Sequence, residues 1–104
     1  MKYSLVYITT SNMKEAKTIG KKLLENRLVA CINIIEKIHS MYWWKKKIQK
    51  DTECILLAKT KTSTVEKVIK TVKEIHSYDC PGIISIPIEK GNRKYLEWID
   101  KEVR

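Results

Sequence analysis

The stretch Val29–Trp44, VACINIIEKIHSMYWW, and the run Ile48–Thr60 that follows it, containing ECILLAKT, decide the fold of this chain. The first is rich in β-branched and aromatic residues, which fit the pleated surface of a sheet. It is long for one regular strand, since strands usually run to about 5–6 residues. It therefore reads as a strand that bends near Glu36 and Lys37 before continuing to the tryptophans. Lys45–Lys47 make a polar turn, so the two runs pair antiparallel as a hairpin. Strand alternation places Val29, Cys31 and Ile35 on one side and Ala30, Ile32 and Ile34 on the other. In the partner run, Ile55 and Leu57 oppose Cys54, Leu56 and Ala58. Both faces are apolar, whereas a half-solvated antiparallel sheet alternates apolar with polar, so each face needs a covering layer.

Working outward toward the N-terminus, Tyr3–Thr10 reads as a strand, and Ser11 and Asn12 supply acceptors for the exposed amides of a helix start. From Met13 to Leu28, Ala16, Ile19, Leu23, Leu24 and Leu28 form an apolar stripe, while Lys14, Lys17, Lys21, Lys22 and Glu25 face water. Toward the C-terminus, Ser63 or Thr64 caps a second helix that ends near Ser77, with Val65, Val68, Ile69, Val72, Ile75 and His76 on its inner stripe. Pro81 pushes Cys80 toward an extended conformation, and Gly82–Glu89 supplies a fourth strand, with Pro87 confined to an edge or bulge. A last helix starts at about Asn92, turning Tyr95, Leu96 and Ile99 inward. The order predicts an α+β domain over residues 1–104: a ferredoxin-like split βαβ sandwich with a long hairpin and an extra C-terminal helix. Two helices cover one face, no remaining segment is large enough for the other, and self-association is the economical cover. Trp43 and Trp44, far out on the hairpin, point the same way.

The 104 residues are 43% hydrophobic and 32% charged with only three Gly and two Pro, which excludes a collagenous or low-complexity chain. The formal charge of +9 raises nucleic acid or an anionic surface as a partner. Most lysines, however, fall on the wet helix faces and in the hairpin turn, where they act as solvent coating. RNA-recognition domains share the element order, and Val6–Ile8 fits part of their signature, yet ECILLAKT has neither the glycine nor the aromatic of a base-stacking platform. No nucleic-acid partner is expected. No apolar run approaches the roughly 20 residues a membrane helix needs, and the N-terminus enters alternating strand sequence directly, so the expected compartment is the cytoplasm. Cys31, Cys54 and Cys80 are odd in number with no CxxC pair, and read as free thiols. Without a phosphate loop, a nucleophile motif or a carboxylate pair on an apolar face, no enzyme is expected.

The segments VYITTSNMKEAKTIGKKLLENRLVACINII, IHSMYWW, LLAKT and EIHSYDCPGIISIPIEKGNRKYLEWI together resemble the CutA family of divalent-cation tolerance proteins over nearly the whole chain. The strand-one threonines, Arg27–Asn33, Tyr42–Trp44, His76 and Tyr78 before Pro81, and Gly91 with Tyr95, Leu96 and Trp98 follow the order that family shows. The resemblance implies a ferredoxin-like homotrimer joined by edge pairing of long hairpins, with copper or another divalent metal ion as ligand. His76, Cys31, Asp79 and Cys80 are the candidate donors, an imidazole and thiolate set suited to copper or zinc. Tyr42, Trp43 and Trp44 are the candidate trimer interface, and Lys59, Tyr78 and Trp44 a candidate inter-subunit cleft. The sequence departs from the copper-binding members: Thr9 and Ile75 stand where a cysteine and a first histidine are proposed as ligands, and Ser77, Asp79 and Gly82 replace a proline and two glutamates. Cys31 also reads as a small buried hydrophobe, His76 as a cap on helix carbonyls, and His39 as an ordinary strand residue. The alternative function is a trimeric small-molecule sensor of the PII-like kind, by analogy of fold alone.

Overall fold

Alternating burial marks the first strand, β1 (Tyr3–Thr10): Ser4, Val6, Ile8 and Thr10 are buried and the residues between them half-exposed. The computed structural model describes residues 1–104, with α1 (Met13–Glu25), β2 (Cys31–Trp44), β3 (Lys47–Lys61), α2 (Val65–Ile75), β4 (Ile83–Ile88) and α3 (Arg93–Glu102) following in order. A 3-10 turn at Thr62–Thr64 leads into α2. The sheet order is β2-β3-β1-β4 with every neighbouring pair antiparallel. On one face, Val6, Ile8, Leu56 and Ala58 pack against Ala16, Ile19, Leu23, Val68 and Val72 from α1 and α2. Each larger side chain buried this way contributes roughly 1.5–3 kcal/mol. The element order and this helix face are those expected.

Helix boundaries differ from expectation for local reasons. At its start, Asn12 Oδ1 accepts from the Glu15 amide at 2.8 Å, and Glu15 reaches back to the Ser11 amide at 2.9 Å, a capping-box arrangement displaced by one residue. The expected continuation of α1 to Leu28 does not occur. Arg27 adopts φ 57°, its amide donates to the Leu24 carbonyl, and the Leu28 amide donates to the Leu23 carbonyl. These two bonds make a Schellman stop, with arginine where glycine is usual. The strain of a left-handed arginine, about 1–2 kcal/mol, is offset by its 2.6 Å ion pair with Glu102 and by the bond from the Arg104 amide to its carbonyl. Likewise α2 stops at Ile75 rather than Ser77 because His76 is already extended, and Ile75, on the last turn, is 40% exposed.

The expected bend at Glu36 and Lys37 is a β-bulge. Ile35 pairs with Ile55 but Ile38 pairs with Glu53, so two β2 residues face Cys54 alone. The extra residue reverses the parity of the strand. Before it, Cys31, Asn33 and Ile35 share the open face with Ile55, Leu57 and Lys59; beyond it, Ile38, Ser40, Tyr42 and Trp44 do. The turn is tighter than expected: only Lys45 and Lys46 form it, at φ 50° and 66°, and Lys47 pairs with Trp44. That is the two-residue type I′ geometry.

β1 pairs with β3 only from Cys54 to Lys61, so Lys47–Glu53 is held by β2 alone and the outer hairpin is a two-stranded ribbon. The open face is covered more than expected, because α3 lies against β3. Ile99 is fully buried outside the main core, and the Tyr95 ring sits 5.5 Å from Lys59 Nζ. Elsewhere that face is bare: Ile84 and Ile86 of β4 are exposed.

Candidate functional site

Where the hairpin leaves the sheet, the open face forms a groove of about 980 Å³. Tyr7 and Thr9 of β1 and Glu53 and Ile55 of β3 make its floor. The loop Tyr78–Cys80 forms one wall and the bulge-rotated face of the hairpin, with Tyr42, Trp44 and Asp51, the other. Tyr78 donates to Glu53 Oε2 at 2.6 Å, and Tyr42 donates to Asp51 Oδ2. Burial, then the Glu53 carboxylate, push the Tyr78 hydroxyl well above the usual phenol range. The Asp51 carboxylate raises that of Tyr42. Both phenols are thus held protonated as donors to carboxylates.

The wall loop is anchored from behind by His76 and Glu15. The His76 side chain is fully buried; its Nε2 lies 2.8 Å from the Thr9 carbonyl, and Nδ1 lies 3.1 Å from the Tyr78 amide. A carbonyl only accepts and an amide N–H only donates, so this network assigns the proton to Nε2 and spends the Nδ1 lone pair on Tyr78. Glu15 accepts from the Ser11 amide and hydroxyl, each at 2.9 Å, and from the Ser77 amide at 2.7 Å. Burial alone would raise its carboxyl, but these donors outweigh it and hold the group at about 2.

Of the candidate metal donors, Asp79 and Cys80 are exposed on the groove rim, while His76 lies behind it. Cys31 is elsewhere on the open face, half-buried rather than fully buried as its apolar neighbours imply, because it sits beside Asn33 and the Lys59 ammonium at 3.9 Å. No three His, Cys, Asp or Glu side chains converge in metal-binding geometry. In this arrangement His76 has no lone pair to offer a metal, so the donors present do not fit a copper centre. Of the candidate cleft, Tyr78 and Trp44 share the groove; Lys59 instead donates to Asn33 Oδ1 at 2.9 Å and faces the Tyr95 ring. Tyr42 and Trp44 turn into the groove, and Trp43, 72% exposed, points to the opposite side. His39 lines the groove at its hairpin end. The residues sequence reasoning missed are Asp51, Glu53 and Glu15. For the first two the signal was present as carboxylates two apart on one strand face, Glu53 immediately before an apolar run.

The CutA1 divalent ion tolerance protein family matches residues 4–102. The Divalent-cation tolerance protein CutA of Archaeoglobus fulgidus is 43% identical over 101 residues, covering 97% of this chain and 98% of that protein. Its Thermus thermophilus counterpart is 42% identical over 95 residues, covering 91% and 92%. Protein CutA 1, chloroplastic, of Oryza sativa is 40% identical over 100 residues, and there the chain spans only 56% of the relative's length. Among solved structures, the Periplasmic divalent cation tolerance protein CutA from Archaeoglobus fulgidus superposes with a TM-score of 0.95 at 42% identity, covering 98% of this chain and 99% of that one. The Thermus thermophilus Cut A1 structure gives 0.96 at 39% identity, with 98% and 99% covered.

Proposed function

This chain belongs to the CutA1 divalent ion tolerance family, and from that premise we propose that it works as a non-catalytic homotrimer of ferredoxin-like subunits in divalent-cation tolerance. The sheet order β2-β3-β1-β4 supports the ferredoxin-like plan. The observation that carries the assembly is the outer hairpin: Met41, Trp43 and Ile48 are 70%, 72% and 58% exposed on a ribbon that pairs with no other strand. A lone two-stranded ribbon is marginal in water, and β2 is a 14-residue edge strand with unpaired backbone groups. Copies of the same chain cover both; the number three comes from the family resemblance. Three free thiols favour the cytoplasm as the compartment. The link to divalent cations is kept at the level of the family, without a copper centre at His76. A second reading, a small-molecule binding module of the PII-like kind, is favoured by the groove, whose volume falls in the range of ligand pockets.

Native mass spectrometry at micromolar concentration tests the assembly. Three chains are expected, and the double variant Trp43→Ser, Trp44→Ser should shift the population to smaller species. A wild-type monomer overturns the proposal.

A further inference from the structure

The two ends of the outer hairpin carry opposite charge. At the tip, Lys45, Lys46, Lys47 and Lys50 are all exposed, no carboxylate stands between them in sequence, and none of them is in an ion pair. At the base, the groove is lined by Asp51, Glu53 and Asp79 and by no lysine or arginine, although Lys and Arg make up 21 of the 104 residues. Tip and groove cannot meet within one chain. From Glu53 out to Lys47 the extended β3 strand carries the tip roughly 20 Å away. Composition alone reads the tip lysines as solvent coating. A coat has no need of these positions, however: Lys45 and Lys46 sit at φ 50° and 66°, where asparagine and glycine are less strained.

We propose that the lysine tip of one copy docks in the acidic groove of the next, so that Lys45 and Lys46 of one chain and Asp51, Glu53 and Asp79 of another form one composite site. The proposal rests on the assembly reading and deepens it, naming the two surfaces that meet. A second copy is selected as the occupant on two grounds. The first is continuity: the groove walls Tyr42 and Trp44 belong to the same ribbon whose exposed Met41, Trp43 and Ile48 require cover by copies, so groove and covered ribbon form one interface. The second is charge complementarity: a surface with carboxylates and no lysine or arginine meets a tip with lysines and no carboxylate. Apolar cover by itself leaves the docking register open, whereas matched opposite charges fix it and penalise wrong arrangements. Tip against tip sets lysine against lysine, an arrangement that like charges reject.

A charge-swap series followed by sedimentation velocity over a dilution series tests it. The tip variant carries Lys45→Glu with Lys46→Glu, the groove variant Asp51→Lys with Asp79→Lys, and a third protein carries all four changes; every one of these positions is exposed, and circular dichroism checks that each variant folds. The tip and groove variants should each raise the concentration of half-dissociation at least tenfold, because each sets like charges together. The four-fold variant, with the charges exchanged, should recover most of that loss, and raised salt should weaken the wild-type assembly. Asp79→Lys alone gives a smaller version of the same loss should the groove pair fail to fold. A tip or groove variant that assembles as tightly as wild type overturns the proposal, as does a four-fold variant showing no recovery. A tip variant that forms larger aggregates also overturns it, because that assigns the lysines to guarding an exposed strand edge. The two readings fail separately: a wild-type monomer overturns the assembly itself, and a wild-type trimer indifferent to these charges overturns only the docking.

Discussion

Replacing Glu15 by glutamine tests the anchor that ties the start of α1 to the groove wall. The carboxylate accepts three hydrogen bonds, from the Ser11 amide and hydroxyl at 2.9 Å and the Ser77 amide at 2.7 Å. Glutamine keeps one carbonyl oxygen and turns its NH₂ toward a donor, so at least one of these bonds becomes a donor facing a donor. A net hydrogen bond to a charged group contributes about 1.5–3 kcal/mol, and the lost negative charge in the first helical turn about 0.3–1 kcal/mol. Glu15→Gln should therefore cost about 2–4 kcal/mol at neutral pH. The pH dependence has a definite sign. The folded carboxyl is held at about 2, below its unfolded value of about 4.3. Its stabilisation is therefore complete above the unfolded value and is lost as the pH falls from about 4.3 toward 2. Urea unfolding followed by tryptophan fluorescence, at one fixed protein concentration, should give a wild-type minus variant difference that is full at pH 7, shrinks below pH 4.3 and vanishes near pH 2. Carboxylates common to both proteins cancel in that difference. A gap that stays constant from pH 7 to pH 3, or a variant as stable as wild type, refutes the reasoning.

His76→Ala removes the partners of the Thr9 carbonyl and the Tyr78 amide; unfolding free energy should fall by about 2–4 kcal/mol, while copper titration calorimetry on the still-folded variant should match wild type. A saturable copper isotherm abolished by the substitution would restore His76 as a ligand. Gly20→Ala drives a Cβ into the Ile32 Cδ1 methyl and to 3.3 Å from Cδ1 of the fully buried Leu56, so Ile32 has to turn away against a packed neighbour. Overpacking costs of about 1–3 kcal/mol should outweigh a helix-propensity gain near 1 kcal/mol, and a raised urea midpoint refutes that ordering.

Much of this architecture was legible in the residues. The stripe Ala16, Ile19 and Leu23, and the matching Val65, Val68 and Val72, point at the sheet because helical and strand periods dictate which side chains share a face. The stop at Arg27 was not legible, since nothing in Glu25–Leu28 offers the glycine that usually marks a left-handed residue. Its compensation comes from Glu102 and Arg104, three-quarters of the chain away. His76 was legible only as an ambiguous side chain: helix cap and ligand require the same residue, and only the Thr9 carbonyl and Tyr78 amide on its two nitrogens separate them.

The sequence by itself determined the element order, the apolar helix face of the sheet, the long hairpin and the bend within it, because each follows from local periodicity and turn chemistry. Only the tertiary structure decided which way the hairpin faces. One extra residue opposite Cys54 turns Tyr42 and Trp44 toward Asp51 and Glu53 and sends Trp43 to the other side. Side chains alternate with a period of two, so a single bulge exchanges the faces of everything beyond it. Its register is set by pairing between strands about 20 residues apart, not by any residue within the bend.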